Sequence, residues 1–190
     1  MTEFRIVQRF IDEAANARDT HHLKAILSTA TGMLGFDYFA LVHHVDLRRA
    51  PAAGMVALWT YPEQWVEEYL ERRLATGDPV HLASHRTNVG FVWDRIPQLI
   101  TITPAHRRVR ERTRRAGIGE GFTVPANIPG EANGSCSFAM AGSRAFACDY
   151  RRGAARPRAM LRAGAVLRWP VLWPHHEALR ATPLPARLVR

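Results

Sequence analysis

The stretch from Trp59 to Trp93 constrains this chain more than any other, because it fixes an order of elements and places a carboxylate between them. A short apolar run, Met55–Trp59, has the length and composition of a buried or half-buried strand. Tyr61-Pro62 follows, and Pro62 stands where a helix can begin, since its fixed φ suits the first turn and its missing N–H is not needed there. Trp65, Tyr69 and Leu70 then recur at helical spacing, with Glu63, Glu67, Glu68, Glu71, Arg72 and Arg73 on the other face. Gly77 is expected to end that helix, and Asp78-Pro79 to open the next segment.

Asp78 is thirteen residues after Trp65 and fifteen before Trp93. Two roles are open to it. It can be the N-cap of a short helix over residues 79–86. It can also be a buried acceptor for a ligand N–H in an aromatic-lined pocket, where the carboxylate needs hydrogen-bond donors to offset desolvation.

Tyr61-Pro62, Trp65, Tyr69, Asp78-Pro79 and Trp93, taken together, resemble the autoinducer-binding domain of LuxR-type quorum-sensing regulators. The resemblance covers roughly Phe4 to Ala141. It implies an α+β fold, an α/β/α sandwich in which an antiparallel sheet carries helices on both faces. It also implies a pocket for an N-acyl homoserine lactone and no cofactor. Carried over by motif position, Trp65 would donate its indole N–H to the lactone carbonyl, and Asp78 would accept the amide N–H. Tyr61 would donate to the acyl carbonyl with Ser137 as a second donor, and Trp93 would wall the lactone. Leu41, Val80 and Tyr69 would line the ring or tail. Where the family often has an aromatic residue four positions before the Asp, this chain has Leu74.

The rest of the chain fits that frame. Two amphipathic helices are expected over residues 3–17 and 20–33. Phe36–Val45 reads as a strand, able to pair with the 55–61 run across a long loop. Phe91-Val92-Trp93 reads as a short strand, Asp94–Leu99 as a loop, and Thr103-Pro104 as the start of an arginine-rich helix reaching Arg115. That basic face is either solvated or a docking surface for an acidic partner. Gly121–Ala126 and Ser135–Ala141 read as the last strands. His21-His22 are adjacent on a helix and His43-His44 adjacent on a strand; neither pair shares a face, so no metal site is expected, and one of the strand pair is expected to be buried and satisfied.

Charge divides the chain in two. Residues 1–142 carry 16 Lys+Arg against 15 Asp+Glu, whereas residues 143–190 carry 10 Arg against 2 acids. The net charge of +9 therefore belongs to the tail, and any non-specific nucleic-acid binding would too. In that tail, 27 of 48 residues are Ala, Arg, Pro or Gly. Members of the family would close the domain with a long helix and add a helix-turn-helix domain; neither is recognisable here. The expected division is a ligand domain over 1–142 and an atypical segment over 143–190, truncated or read out of frame. Such a chain would act as a homodimer, or by pairing with a full-length relative into a heterodimer with impaired operator binding.

Other classes fit less well. The two cysteines make no disulfide framework, the charged N-terminus is no signal peptide, and no run of eighteen apolar residues occurs, so a cytoplasmic protein is expected. Cys136, Ser135 and Ser137 are candidate nucleophiles, but no nucleophile elbow, Walker loop, His-Glu-x-x-His or Cys-x-x-Cys accompanies them, so no enzyme is expected.

Overall fold

A computed structural model describes residues 3–44, 57–127, 129 and 133–142. The segment over 143–190 lies outside the described residues, as does the loop joining the first two strands.

Helices α1 (Glu3–Ala15) and α2 (Thr20–Met33) come first. Asp19 caps α2, its side chain accepting the His22 N–H at 2.7 Å. Strands β1 (Tyr38–His43) and β2 (Ala57–Trp59) pair antiparallel with Ala40 opposite Trp59, so the hairpin forms as expected. Helix α3 (Glu63–Glu71) starts after Pro62. It ends earlier than Gly77, because Arg73 adopts a left-handed backbone (φ 51°), with the Arg72 N–H bonded to the Glu68 carbonyl and the Arg73 N–H to the Leu70 carbonyl. A 3-10 turn over Leu74–Gly77 then delivers Asp78 to the start of α4 (Pro79–Ser84).

The segment after Val92 is more regular than the sequence suggested. β3 is only Phe91–Val92, Trp93–Arg95 form a 3-10 turn, and α5 (Ile96–Leu99) is one helical turn. Pro97 suits that first turn, and Ile96 is buried, which holds it. Helix α6 (Pro104–Arg115) carries a reciprocal Thr103–His106 capping box. Gly117 follows with φ 79°, a position that suits glycine. β4 (Ile118–Ala126) and β5 (Gly134–Ala141) complete the sheet.

All strand pairs are antiparallel, in the order β2-β1-β5-β4-β3. Pro125 is tolerated in β4 because β3 pairs only as far as Thr123, leaving Pro125 with β5 alone. One sheet face packs on α1 and α2 through Phe39, Leu41, Phe122, Val124, Cys136 and Phe138. The other meets the helices after β2 through Trp65, Phe91, Trp93, Ile96, Ile118 and Ala139. This is the expected sandwich.

The arginines of α6 are largely answered within the chain. Arg110 makes two 2.9 Å bonds to the Glu120 carboxylate, Arg112 pairs with Glu68, Arg114 with Glu120 and Arg115 with Glu111. Of these, the half-buried Arg110–Glu120 fork is the pair whose geometry holds α6 on the sheet. The more exposed pairs add little.

Candidate functional site

A cavity of about 250 Å³ lies between the second sheet face and helices α3, α4 and α6. It exists because strand alternation gives that face small side chains. Ala40 and Val42 of β1, and Ser135 and Ser137 of β5, line it, whereas their neighbours Phe39, Leu41, Cys136 and Phe138 point to the other core. Small residues leave the space open, and Trp65, Tyr69, Tyr61, Trp59 and Trp93 wall it.

Asp78 takes the N-cap role, and its second carboxylate oxygen borders the cavity. Its Oδ1 accepts the Val80 N–H at 2.8 Å and caps α4, while its Oδ2 accepts the Tyr69 hydroxyl at 2.8 Å on the cavity wall. Tyr69 packs edge-on to the buried Trp65, ring centroids 5.7 Å apart. Tyr61 packs on Tyr38 at 5.8 Å. Burial first, and the Asp78 carboxylate second, hold both the Tyr61 and Tyr69 hydroxyls above the ordinary phenol range. Both therefore stay protonated and able to donate.

Trp93 and Ser137 belong to a buried polar chain. Trp93 Nε1 donates to Thr123 Oγ1 at 2.8 Å, and Thr123 Oγ1 lies 2.8 Å from Ser137 Oγ. The Trp93 indole N–H is thus committed to the sheet, and its ring serves as wall, with Arg110 Cζ 5.1 Å from the ring centroid. Gly121 permits this, since a Cβ there would fall 2.6 Å from both the Trp93 ring and the Phe138 carbonyl.

Seven of the eight side chains expected at a ligand site therefore border one cavity: Tyr61, Trp65, Tyr69, Asp78, Val80, Trp93 and Ser137. Leu41 does not. It is fully buried with Phe39 against α2, because residue 41 is odd in a strand whose even positions, 40 and 42, face the cavity. Leu74 packs against the Trp65 cluster without lining the cavity.

Several lining residues were not singled out from sequence. Val66, Leu70, Ala75, Arg110 and Thr113 come from helical faces, and Ala40 and Val42 would have followed from correct facing of β1. The largest omission is a histidine group. His43 and His44 both border the cavity, since β1 ends at His43 and alternation ends with it. His44 also meets His81 and His85, which stand four apart at the end of α4, a spacing visible in the sequence. As expected, one of the adjacent strand histidines is partly buried and satisfied: His44 bonds His85 Nε2 at 2.7 Å and Ser135 Oγ at 2.9 Å. Burial holds His43 down at about 4, and burial followed by the facing imidazoles holds His44 at about 2.

Among the described residues no helix is long and apolar enough to cross a membrane. The fold matches solved structures of ligand-sensing regulators. The N-acylhomoserine lactone dependent LuxR family transcription factor CepR2 from Burkholderia cenocepacia superposes with a TM-score of 0.64 at 17% identity, over 90% of this chain and 96% of that one. Escherichia coli SdiA gives 0.59 at 18% identity, over 85% of this chain and 66% of that one. SdiA in complex with octanoyl-rac-glycerol gives 0.61 at 18% identity, over 86% and 65%. No curated protein matches the chain by sequence. The family pattern of the autoinducer binding domain, however, matches residues 19–168, most of the chain and beyond Gly142. With the sandwich, the aromatic cavity and that match in agreement, the chain belongs to the autoinducer-binding-domain family of LuxR-type quorum-sensing regulators, a family of ligand-binding domains rather than enzymes.

Proposed function

We propose that this domain senses an N-acyl homoserine lactone, with Asp78 as the acceptor for the ligand amide N–H. The observation that carries the reading is the Asp78 carboxylate: one oxygen is fixed by the helix it caps, and the other stands on the cavity wall beside a protonated Tyr69. The partly buried Oδ2 accepts the Tyr69 hydroxyl and, as a carboxylate oxygen, has a second lone pair to accept a donor from whatever fills the cavity. An acyl amide brings that donor together with two carbonyls, for which Trp65 and the Tyr61 hydroxyl are the available donors on the same wall. Val66, Leu70, Ala75 and Val80 offer the apolar lining that an alkyl tail needs. A volume of about 250 Å³ favours a short tail over a long one.

SdiA supplies the rival chemistry, since that protein has been seen with an acylglycerol, which has hydroxyls and no amide. Thermal-shift titration of the expressed chain with lactones of graded tail length, beside octanoylglycerol, separates the two. The expected result is a saturable shift with short-tailed lactones. Asp78→Asn keeps an oxygen for the Val80 cap and should weaken lactone binding by about 1.5–3 kcal/mol, roughly 10- to 150-fold. A stronger shift with octanoylglycerol than with every lactone, or equal lactone affinity in Asp78→Asn, would overturn the assignment.

A further inference from the structure

His44, His81 and His85 gather at one edge of the cavity, from two elements distant in sequence. His44 stands just past the end of β1. His81 lies in α4 and His85 caps its C-terminus in αR conformation, so the two imidazoles leave one helical face. The three ring centroids form a nearly regular triangle with sides of 4.1, 4.8 and 4.9 Å. One ring nitrogen from each lies within 4.8 Å of the others.

The hydrogen bonds around the group orient it as metal ligands are oriented. His81 Nδ1 lies 3.0 Å from the Ala75 carbonyl, which can only accept, so the proton is on Nδ1 and Nε2 carries a bare lone pair. Among the described residues, that Nε2 is buried and has no hydrogen-bond partner. An unsatisfied buried acceptor is costly, and native structures normally give it a partner. Ser135 Oγ lies 2.9 Å from His44 Nε2, and when it accepts the proton there it leaves His44 Nδ1 bare and directed at His85. A backbone carbonyl and a hydroxyl thus hold two of the rings by the nitrogens that face away from the centre, as outer-shell partners of ligand histidines do.

We propose that His44, His81 and His85 form a mononuclear site for a divalent transition-metal ion of the zinc class, with the fourth coordination position open. Three neutral imidazoles suit Zn²⁺, Cu²⁺ or Ni²⁺ and do not suit Ca²⁺ or Mg²⁺, which need oxygen ligands. With Zn–N bonds of about 2.0–2.1 Å, a tetrahedral centre sets ligand nitrogens about 3.3–3.4 Å apart. The His44–His85 nitrogens, now 2.7 Å apart, open to admit the ion, and the widest separation, no more than 4.8 Å, closes by side-chain rotation. His85 is exposed and supplies both the entry path and the freedom to move. A bound ion would tie the end of β1 to α4, the helix that Asp78 caps and from which Val80 reaches the cavity.

The site is tested without any lactone, so its failure is separate from failure of the ligand assignment. The full chain, freed of affinity tag and stripped with chelator, is titrated with ZnCl₂ by calorimetry and with CoCl₂ by visible absorption. The expected result is one saturable ion per chain and the intense visible bands of four- or five-coordinate Co²⁺. His81→Ala and His85→Ala should each lower affinity by about tenfold or more, while His21→Ala, on the far face of α2, changes nothing. His85 is exposed, so its variant should stay folded, as circular dichroism would verify. Folded wild-type chain that binds no Zn²⁺ tighter than on the order of 0.1 mM would overturn the proposal. Binding undiminished in His85→Ala would place the ion elsewhere and overturn it equally.

Discussion

The two faces of the sheet are built from the same strands and come out with opposite characters. Toward α1 and α2, residues 39, 41, 122, 124, 136 and 138 are Phe, Leu, Phe, Val, Cys and Phe, and they fill their side completely. Toward α3 to α6, residues 40, 42, 121, 123, 135, 137 and 139 are Ala, Val, Gly, Thr, Ser, Ser and Ala. The second set is too small to reach the helices, and the large residues of those helices bridge the gap only in part. The lesson is that the cavity here comes from under-filling one sheet face, set against a fully packed face that carries the stability.

That contrast is broken first on the packed side. Phe39→Ala removes a fully buried ring, and chemical denaturation should show a loss of about 3–5 kcal/mol. Leu41→Ala should cost about 2–5 kcal/mol. If Leu41 contributes to the core and not to the cavity, ligand affinity of the folded fraction stays unchanged. A selective loss of affinity at unchanged stability would return Leu41 to the ligand wall.

Gly121→Ala probes the seam between the faces. The added methyl would meet the Phe138 carbonyl, which is backbone and cannot swing aside, and the Trp93 ring. Overpacking of this kind costs about 1–3 kcal/mol. Trp93 should also shift away from Thr123, which tryptophan fluorescence and lactone titration can both follow.

Filling the cavity should have the reverse signature. Ala40→Leu puts a side chain into space that the small face leaves open, so stability should change by less than about 1.5 kcal/mol while lactone binding is lost. A large loss of stability would mean that the face is packed after all.

Much of this contrast was legible in the chain. Alternation in Ser135–Ala141 gave β5 its two faces, and the family resemblance carried by Trp65, Asp78 and Trp93 pointed to residues that border the cavity. Facing of β1 was not legible, because Phe39, Ala40, Leu41 and Val42 are all apolar and alternation of size does not read as alternation of polarity. The end of α3 was also misplaced, since Gly77 is the obvious stop and the actual one is a left-handed arginine. The histidine group required a tertiary fact, the approach of the end of β1 to α4, which no local pattern carries. Its helical half, His81 and His85, was there to be read.

The smallest effect sharpens the comparison at one residue. Cys136 lies between Ser135 and Ser137 on β5, so its thiol points into the packed face while both hydroxyls point to the cavity. Burial pushes that thiol up to about 12, so almost none of it is thiolate at neutral pH, and thiolate is the reactive form. Native chain treated with an alkylating reagent should leave Cys136 unmodified by peptide mass analysis, and denatured chain should modify it fully. Because the block has two parts, exclusion and protonation, raising the pH to 9 should not release it while the fold holds. Labelling of Cys136 in folded chain at pH 7 would show that the face meant to carry the stability opens to solvent. The division of labour between the two faces would then fail at the strand that most clearly expresses it.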